Sequence, residues 1–190
     1  SDFSAMGSNT FNLQRYDFTS QRRSRDDKKI NPIINYRQVK TFEEDYNFPF
    51  TSTSLSFQGT RSAEVKYENE KTDPEVQVLG VNEYFISNSG LEVETGRSLN
   101  YFDIQNSNSV CVIGSDLKKA LLADVNPINA TISIRGSKFK VIGVLKEKGA
   151  TFGNNEDLRV LIPLQKARTI FTNPNINYNL SIKTDKKEML

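Results

Sequence analysis

The chain has 190 residues, of which 36% are hydrophobic and 25% are charged, and its formal net charge is +2. This composition indicates a globular chain that is more aromatic and less charged than most disordered chains, and so small a charge gives no argument for a nucleic-acid or anionic-membrane partner. The chain contains no histidine, which argues against most zinc sites and against Ser-His-Asp chemistry.

The first part of the chain predicts strand, helix, strand and strand. Aromatic and aliphatic residues recur at helical spacing after residue 35, which predicts one buried helix face. The basic run at residues 20–29 holds nothing to bury and is interpreted as a solvated loop. The predicted elements are a strand at 5–14, a helix at 36–46, a β-prone stretch at 53–67 with a bend or bulge at Gly59, and a strand at 75–81.

The middle of the chain predicts alternating short helices and strands. Gly90 should end the first of these helices, and Pro163 should end the last strand. The stretch around residues 150–157 is expected to be a flexible loop. The predicted elements are a short helix at 82–90, a strand at 109–114, a helix from Ser115 or Asp116, a hairpin turning at Arg135-Gly136-Ser137, and a strand at 159–164.

These elements predict an α+β fold with two lobes. Completing a split βαβ, ferredoxin-like arrangement in the first part requires one more strand, and the late strand at 176–183 is the available one. A porter-like lobe would therefore comprise residues 1–81 plus 172–190. Residues 82–171 would form a small inserted lobe. A loose capping box after Asp185 predicts a helix start at the end of the chain.

The sequence predicts no catalytic, cofactor-binding or metal-binding residue. The lone Cys111 lies between two valines and is interpreted as a buried strand residue, because a nucleophile would need a histidine partner. Residues 143–153 lack the Gly-Lys-Ser/Thr ending of a phosphate-binding loop. Glu43, Glu44 and Asp45 diverge around a helix and do not converge on a metal. The aspartates Asp73, Asp103 and Asp157 stand in turn contexts, where aspartate caps or bends the backbone.

The hairpin sequence raises nucleic-acid binding as an alternative function. A four-stranded ferredoxin-like sheet is also the RNA-recognition scaffold, and residues 135–143 bear a faint likeness to its second signature. Ser137 and Lys138 occupy places where that signature needs an aromatic and a small residue, and only Phe139 is in place. The sequence therefore predicts no nucleic-acid partner.

Several ordered motifs carry a family resemblance. They are MGSNTF at residues 6–11, VNEYFISNSGLEVETGRSL with its Gly96-Arg97 pair followed by Asp103, and the central block from residue 112 to the IPL strand at Ile162 to Leu164. The set resembles the MacB-like periplasmic core domain of ABC transporter permeases, in the MacB and FtsX-like permease family. Two glycine places of the family hold Ala123 and Asn129 here, and asparagine tolerates the left-handed backbone.

The resemblance implies a non-catalytic extracytoplasmic domain of an ABC exporter permease. Such a domain sits in the periplasm, between membrane helices of an inner-membrane protein, and combines a porter-like lobe with an inserted lobe called Sabre. The implied partners are a second permease copy, an ATPase domain or subunit, and a periplasmic adaptor with its outer-membrane channel. No apolar run approaches the ~20 residues needed to span a bilayer, and no signal peptide is visible. Both absences fit a segment between membrane helices and a cytosolic protein equally well. The alternative is a stand-alone periplasmic interaction domain.

The predicted two-lobed arrangement also indicates how such a domain would move. Stiff lobes joined by a hinge need few specific pockets, and we expect no deep, chemically specific one. The chain crosses between the predicted lobes near Val81-Asn82 and near residues 171–174. Because Pro174 restricts one crossing, the bend should concentrate on residues 82–83 and 171–173. The isolated chain is expected to be monomeric.

Overall fold

The structure is a computed structural model that describes residues 10–13, 35–45, 51–151, 154–173 and 176–184. Within these ranges the strands are β1 (Thr10–Leu13), β2 (Thr51–Ala63), β3 (Val65–Tyr67), β4 (Glu70–Lys71), β5 (Val76–Val81), β6 (Val93–Gly96), β7 (Val110–Ile113), β8 (Thr131–Ile134), β9 (Ser137–Leu145), β10 (Ala150–Thr151), β11 (Asn154–Asn155), β12 (Arg159–Pro163) and β13 (Tyr178–Thr184). The helices are α1 (Tyr36–Asp45), α2 (Phe85–Asn88), α3 (Tyr101–Gln105), α4 (Ser115–Leu121) and α5 (Leu164–Ile170). Among the described helices, none combines the length and apolar character needed to cross a membrane.

Eleven of the described strands form one mixed sheet. Its order is β1-β13-β2-β5-β12-β7-β9-β8-β3-β4, with β6 paired to the side of β9. The pairs β5–β12 and β7–β9 are parallel, and the remaining neighbours are antiparallel. All five residues of β12 are buried, as expected for a central strand covered on both faces.

Two apolar clusters cover the two faces of the sheet. Alternate residues of β12 divide between them, since Val160 and Ile162 belong to the larger cluster and Leu161 to the smaller one. The larger cluster takes side chains from α1, α4 and α5, whereas the smaller one takes Ile86 from α2. The mixed α+β class predicted from the sequence is therefore confirmed.

The predicted late strand joins the early ones. β13 pairs with β1 over four residues and with β2 over seven, so the chain's two ends share one part of the sheet. β2 bulges at the predicted place, with a register shift between Gln58 and Thr60. A side chain at Gly59 would lie 2.3 Å from the ring of Phe171, which packs against the strand there. The missing side chain at Gly59 thus makes room for Phe171, which directly follows α5.

The predicted hairpin and left-handed positions are also confirmed. β8 and β9 turn through Arg135 and Gly136, whose φ angles are 49° and 80°, the pattern of a tight hairpin turn. Asn129 has a φ of 73°, which is the left-handed backbone expected where the family has glycine. Gly90 has a φ of 69° just beyond α2.

Other predictions are incomplete or lie outside the described residues. The loop predicted at 150–157 contains a short hairpin of β10 and β11 that the sequence does not predict, and its flexibility stays a prediction. Helices α3 and α5 were not predicted. The basic run at 20–29, the residues of 5–14 outside β1 and the capping box after Asp185 lie outside the described residues.

The predicted division into lobes, 1–81 plus 172–190 and 82–171, stays a prediction. The sheet runs on from one predicted lobe into the other, with five register pairs between β5 and β12 and two between β3 and β8. Any bend between the lobes must therefore be accommodated within a hydrogen-bonded sheet.

Candidate functional site

The segment before α3 is tied by one buried carboxylate. Asp103, 3% exposed, accepts hydrogen bonds from Arg97 Nη1 at 2.7 Å and Nη2 at 3.3 Å. It also accepts from the backbone N–H of Asn100 at 3.0 Å and from Asn108 Nδ2 at 3.2 Å. The Asp103 N–H in turn donates to Oδ1 of Asn100, and this second bond completes a capping box at the start of α3. We call these four residues the Asp103 knot.

The electrostatics of the Asp103 knot favour the ionised pair. Burial by itself would raise the pKa of Asp103, but the hydrogen bonds from Arg97, Asn100 and Asn108 and the charge of Arg97 outweigh it, so the pKa lies below its usual value. The hydrogen bond that Arg97 donates to Asp103 raises the pKa of Arg97. Arg97 keeps 49% of its side chain exposed, so its charge is still partly solvated.

The Asp103 knot holds two exposed aromatic residues in place. Tyr101 and Phe102 begin α3 and are 56% and 68% exposed. Their rings meet edge to face with centroids 5.7 Å apart. Ile104 packs inward against the smaller apolar cluster. Two adjacent exposed rings on a helix whose start is fixed by the Asp103 knot are an arrangement suited to contact with another surface.

A second buried carboxylate orders the segment after β9. Asp157, 3% exposed, accepts hydrogen bonds from the backbone N–H groups of Lys148 and Gly149, both at 2.7 Å. Its backbone carbonyl accepts from Asp116 and Leu117 at the start of α4. We call this arrangement the Asp157 knot.

The Asp157 knot includes a close approach that only glycine allows. A side chain on Gly114 would lie 2.2 Å from the carbonyl oxygen of Asp157. The turn between β7 and α4 is therefore packed directly against the backbone of residue 157.

Three carboxylates meet beside the Asp157 knot, although the sequence predicted no such group. Oxygen atoms of Asp116, Glu147 and Asp157 all lie within 4.8 Å of one another. Each already has a protein partner: Asn155 donates to Asp116 at 2.8 Å, Lys119 pairs with Glu147 at 3.6 Å, and Asp157 accepts its two amides. The group therefore has a structural explanation within the chain.

The residues that could have served catalysis or binding have structural roles instead. Cys111 is fully buried on β7, which confirms it as a buried strand residue, and burial raises the pKa of its thiol far above the usual range. Phe139 is buried in the larger apolar cluster and cannot stack on a base. Glu44 and Asp45 end α1 as exposed side chains, and Asp73 lies in an exposed turn. Burial lowers the pKa of Arg159, with Glu156 and Asp157 opposing that shift.

A small cleft lies at the first predicted crossing. Its volume is about 180 Å³, and its walls come from α1, β2, the Asn82-Glu83 segment, α3 and α5. Asn82 anchors that crossing, since it accepts from the N–H of Leu55 and donates to the carbonyl of Thr53. Lys40 of α1 and Glu83 both line the cleft.

The architecture defines a class of protein: an α+β domain built on one mixed sheet, in which a buried aspartate paired with a half-exposed arginine caps a short helix that carries two exposed aromatic residues. The sequence model of the MacB-like periplasmic core domain matches residues 1–189, and the chain belongs to that family. The predicted family is therefore confirmed.

Curated relatives are similar to this chain in sequence. The macrolide export ATP-binding/permease protein MacB of Neisseria gonorrhoeae is 30% identical over 189 residues, which cover 96% of this chain and 27% of that protein. The chain thus spans about a quarter of the length of that relative. The ABC transporter permease YknZ of Bacillus subtilis is 30% identical over 88 residues, 46% of this chain and 22% of that protein.

Solved structures share the fold. The periplasmic region of MacB from Actinobacillus actinomycetemcomitans aligns with a TM-score of 0.72 at 20% identity, covering 98% of this chain and 79% of that one. The extracellular domain of the transporter YknZ from Gram-positive bacteria aligns with a TM-score of 0.66 at 20% identity, covering 95% and 86%. At this identity the likeness concerns the fold alone.

Proposed function

We propose that the chain is the extracytoplasmic part of an ABC exporter permease and that it performs no catalysis itself. The observation that carries the proposal is the family match over residues 1–189, which the shared fold supports. In such a protein, ATP hydrolysis in the cytoplasm moves membrane helices, and these move the domain outside the membrane. The domain would couple that movement to the handling of substrate beyond the inner membrane.

The proposal places the domain in the periplasm, and the reading frame provides a first test. Apolar runs of about 20 residues should flank this segment on both sides in the complete protein, because each must cross a bilayer. If neither flank carries such a run, the exporter proposal fails and a stand-alone interaction domain becomes the better explanation.

The absence of catalysis is tested on the purified chain. The described carboxylates that come close together are engaged by Lys119, Asn155 and backbone amides, so none is poised as a base. We expect no ATP turnover above a mock preparation. Turnover that persists through purification and is reduced by Asp157→Asn would overturn the non-catalytic assignment.

The proposed partners are a second permease copy, an ATPase domain or subunit, and a periplasmic adaptor leading to an outer-membrane channel. The aromatic pair on α3 is a candidate contact surface for one of them, since both rings are exposed and held by the Asp103 knot. Two side chains cover far less than the roughly 1,200 Å² of a stable interface. The isolated chain should therefore be monomeric in light scattering at micromolar concentration. A tight dimer would contradict this expectation.

We also propose that the two predicted lobes bend relative to each other at residues 82–83 and 171–173. The cleft of about 180 Å³ beside Glu83 supports the proposal, because it leaves space into which α1 and the inserted lobe can move. In the complete transporter, Lys40→Cys and Glu83→Cys joined by a short bifunctional thiol reagent would fix the two sides. Transport should fall on cross-linking and recover when the link is cleaved, whereas each single variant treated alike serves as control. Undiminished transport would show that the bend is not needed.

A further inference from the structure

One aromatic residue of α1 is in contact with helix α5, which lies much later in the chain. Tyr36, the first residue of α1, lies beneath the guanidinium of Arg168 on α5, whose central carbon is 3.7 Å from the ring centroid. Gln165 donates its amide to the Tyr36 hydroxyl, and Arg168 Nη1 donates to Gln165 Oε1 at 3.1 Å. The three side chains therefore form a closed set, which we call the Tyr36 latch.

The Tyr36 latch continues into the sheet through two further rings. Tyr178 of β13 lies 6.2 Å from the Tyr36 ring, and Phe57 of β2 meets Tyr178 edge to face at 5.3 Å. Burial raises the pKa of Tyr178, while the charge and hydrogen bond of Arg168 oppose that rise. These rings thus connect α5 to α1 and to the two neighbouring strands β13 and β2.

Helix α1 depends strongly on such contacts. It has ten residues, and a helix that short is marginal in water without tertiary packing. Among its described side chains, Val39 is the one that is fully buried, while Tyr36, Lys40 and Phe42 are partly buried. The position of α1 therefore rests on a few anchors, of which the Tyr36 latch is the one at its start.

The Tyr36 latch also spans the predicted lobe boundary. Tyr36 and Tyr178 belong to the predicted porter-like lobe, whereas Gln165 and Arg168 belong to the predicted inserted lobe. Tyr36 and Gln165 line the 180 Å³ cleft, so the latch closes one side of that cleft. Arginine suits this place because its flat, charged guanidinium can stack on a ring and donate hydrogen bonds at once.

We infer that the Tyr36 latch holds α1 and β13 against α5 and so restrains movement between the two parts of the chain, with Arg168 as the positioning residue. The inference rests on the proposed bend between lobes. When the latch is closed, the cleft keeps its present width, and when Arg168 leaves the Tyr36 ring, α1 and α5 can separate. Movement in the complete protein would then require this latch to open or slide.

The test measures the distance between the two parts in the purified chain. Spin labels are placed on Glu44→Cys in α1 and Lys119→Cys in α4, both exposed positions, while the buried native Cys111 escapes labelling. Arg168→Ala should broaden the distance distribution and shift it to longer values. Amide exchange in α1 should become about tenfold faster, in line with the loss of one partly buried cation–π contact.

Matched variants separate the Tyr36 latch from a general loss of stability. Lys166→Ala changes a neighbouring half-buried cation of the same helix and should leave the distribution unchanged. Arg168→Lys keeps the charge without the flat stack and should broaden the distribution. Tyr36→Phe keeps the ring but removes the hydroxyl that accepts from Gln165, so it should broaden the distribution less than Arg168→Ala does. An unchanged distribution in both Arg168 variants would overturn the inference, as would broadening by Lys166→Ala equal to that of Arg168→Ala. Either result would leave the exporter proposal standing, because the test involves no transport.

Discussion

Asp103 and Asp157 are two equally buried aspartates that are satisfied in different ways. Both are 3% exposed. Asp103 faces a cation, Arg97, together with the N–H of Asn100 and the amide of Asn108. Asp157 receives two backbone N–H groups, those of Lys148 and Gly149. The first aspartate neutralises a charge beneath an exposed helix, whereas the second one fixes the path of the backbone.

The difference teaches what each carboxylate protects. Loss of the Asp157 carboxylate leaves the N–H groups of Lys148 and Gly149 without their acceptor, and the packing of Gly114 against the Asp157 carbonyl leaves little room for the backbone to relax. Loss of Asp103 frees Arg97, which is already half exposed and can be solvated. The Asp157 knot should therefore matter more for stability, although the Asp103 knot lies closer to the candidate contact surface.

The largest expected effect is that of Asp157→Ala. The loss of two charge-assisted hydrogen bonds from partly buried amides should lower the free energy of unfolding by about 3 kcal/mol. Asp157→Asn keeps one acceptor oxygen and should cost less. Urea denaturation of the purified variants measures both. Glu156→Ala, which removes the ion pair with Lys148 and a charge interaction with Arg159, is the matched control and should cost about 0.5 kcal/mol. Equal losses for Glu156→Ala and Asp157→Ala would remove the special role of the two amides.

The second effect is that of Asp103→Ala, with a loss of about 2 kcal/mol, because the variant removes a charge-assisted bond and leaves the capping box incomplete. Arg97→Ala should cost only about 1 kcal/mol after discounting for the exposure of the guanidinium. The same urea titrations provide the measurement. If Asp103→Ala proved more harmful than Asp157→Ala, the proposed ranking of the two knots would be reversed.

Much of the sheet could be predicted from the sequence, because alternation of apolar residues marks its strands. The strand at 176–183, the bulge at Gly59 and the turn at Arg135-Gly136 all carry local signals. Helix α3 also had a signal, since Asn100 and Asp103 stand at capping-box spacing, but the segment was interpreted only as a turn context. Pro163 indicates the end of a strand, and the first residue of helix α5 follows it directly. The start of α5 is therefore not recognisable as a separate signal.

The candidate site was less predictable for physical reasons. The donors to Asp157 are backbone amides, which leave no mark in a sequence. Tyr36 and Gln165 are 129 residues apart, and nothing local brings them together. The Arg97–Asp103 pair was noticed as part of a family pattern, yet its ion pair depends on how the chain turns into α3.

A smaller effect concerns pH and sharpens the comparison further. The pKa of Asp103 is lowered in the folded state, so its contribution to stability is present above the unfolded value of about 3.9 and is lost as pH falls through the folded value. The wild-type chain should thus lose part of its stability advantage over Asp103→Asn as pH falls below about 4. Urea midpoints at pH 3 and pH 6 measure that gap. A gap that stays constant would mean that the charge of Asp103 contributes nothing.

The smallest expected effect on stability belongs to the residues that the Asp103 knot supports. Tyr101→Ala and Phe102→Ala remove rings that are mostly exposed, so each should change the free energy of unfolding by less than about 0.5 kcal/mol. Val125→Ala, at another exposed apolar position, is the control. A knot that costs about 2 kcal/mol to break but supports rings that are nearly neutral for folding is best explained if the rings serve a contact outside the folded chain. If Phe102→Ala destabilised the isolated chain as much as Asp103→Ala, the rings would be part of the fold and that explanation would be lost.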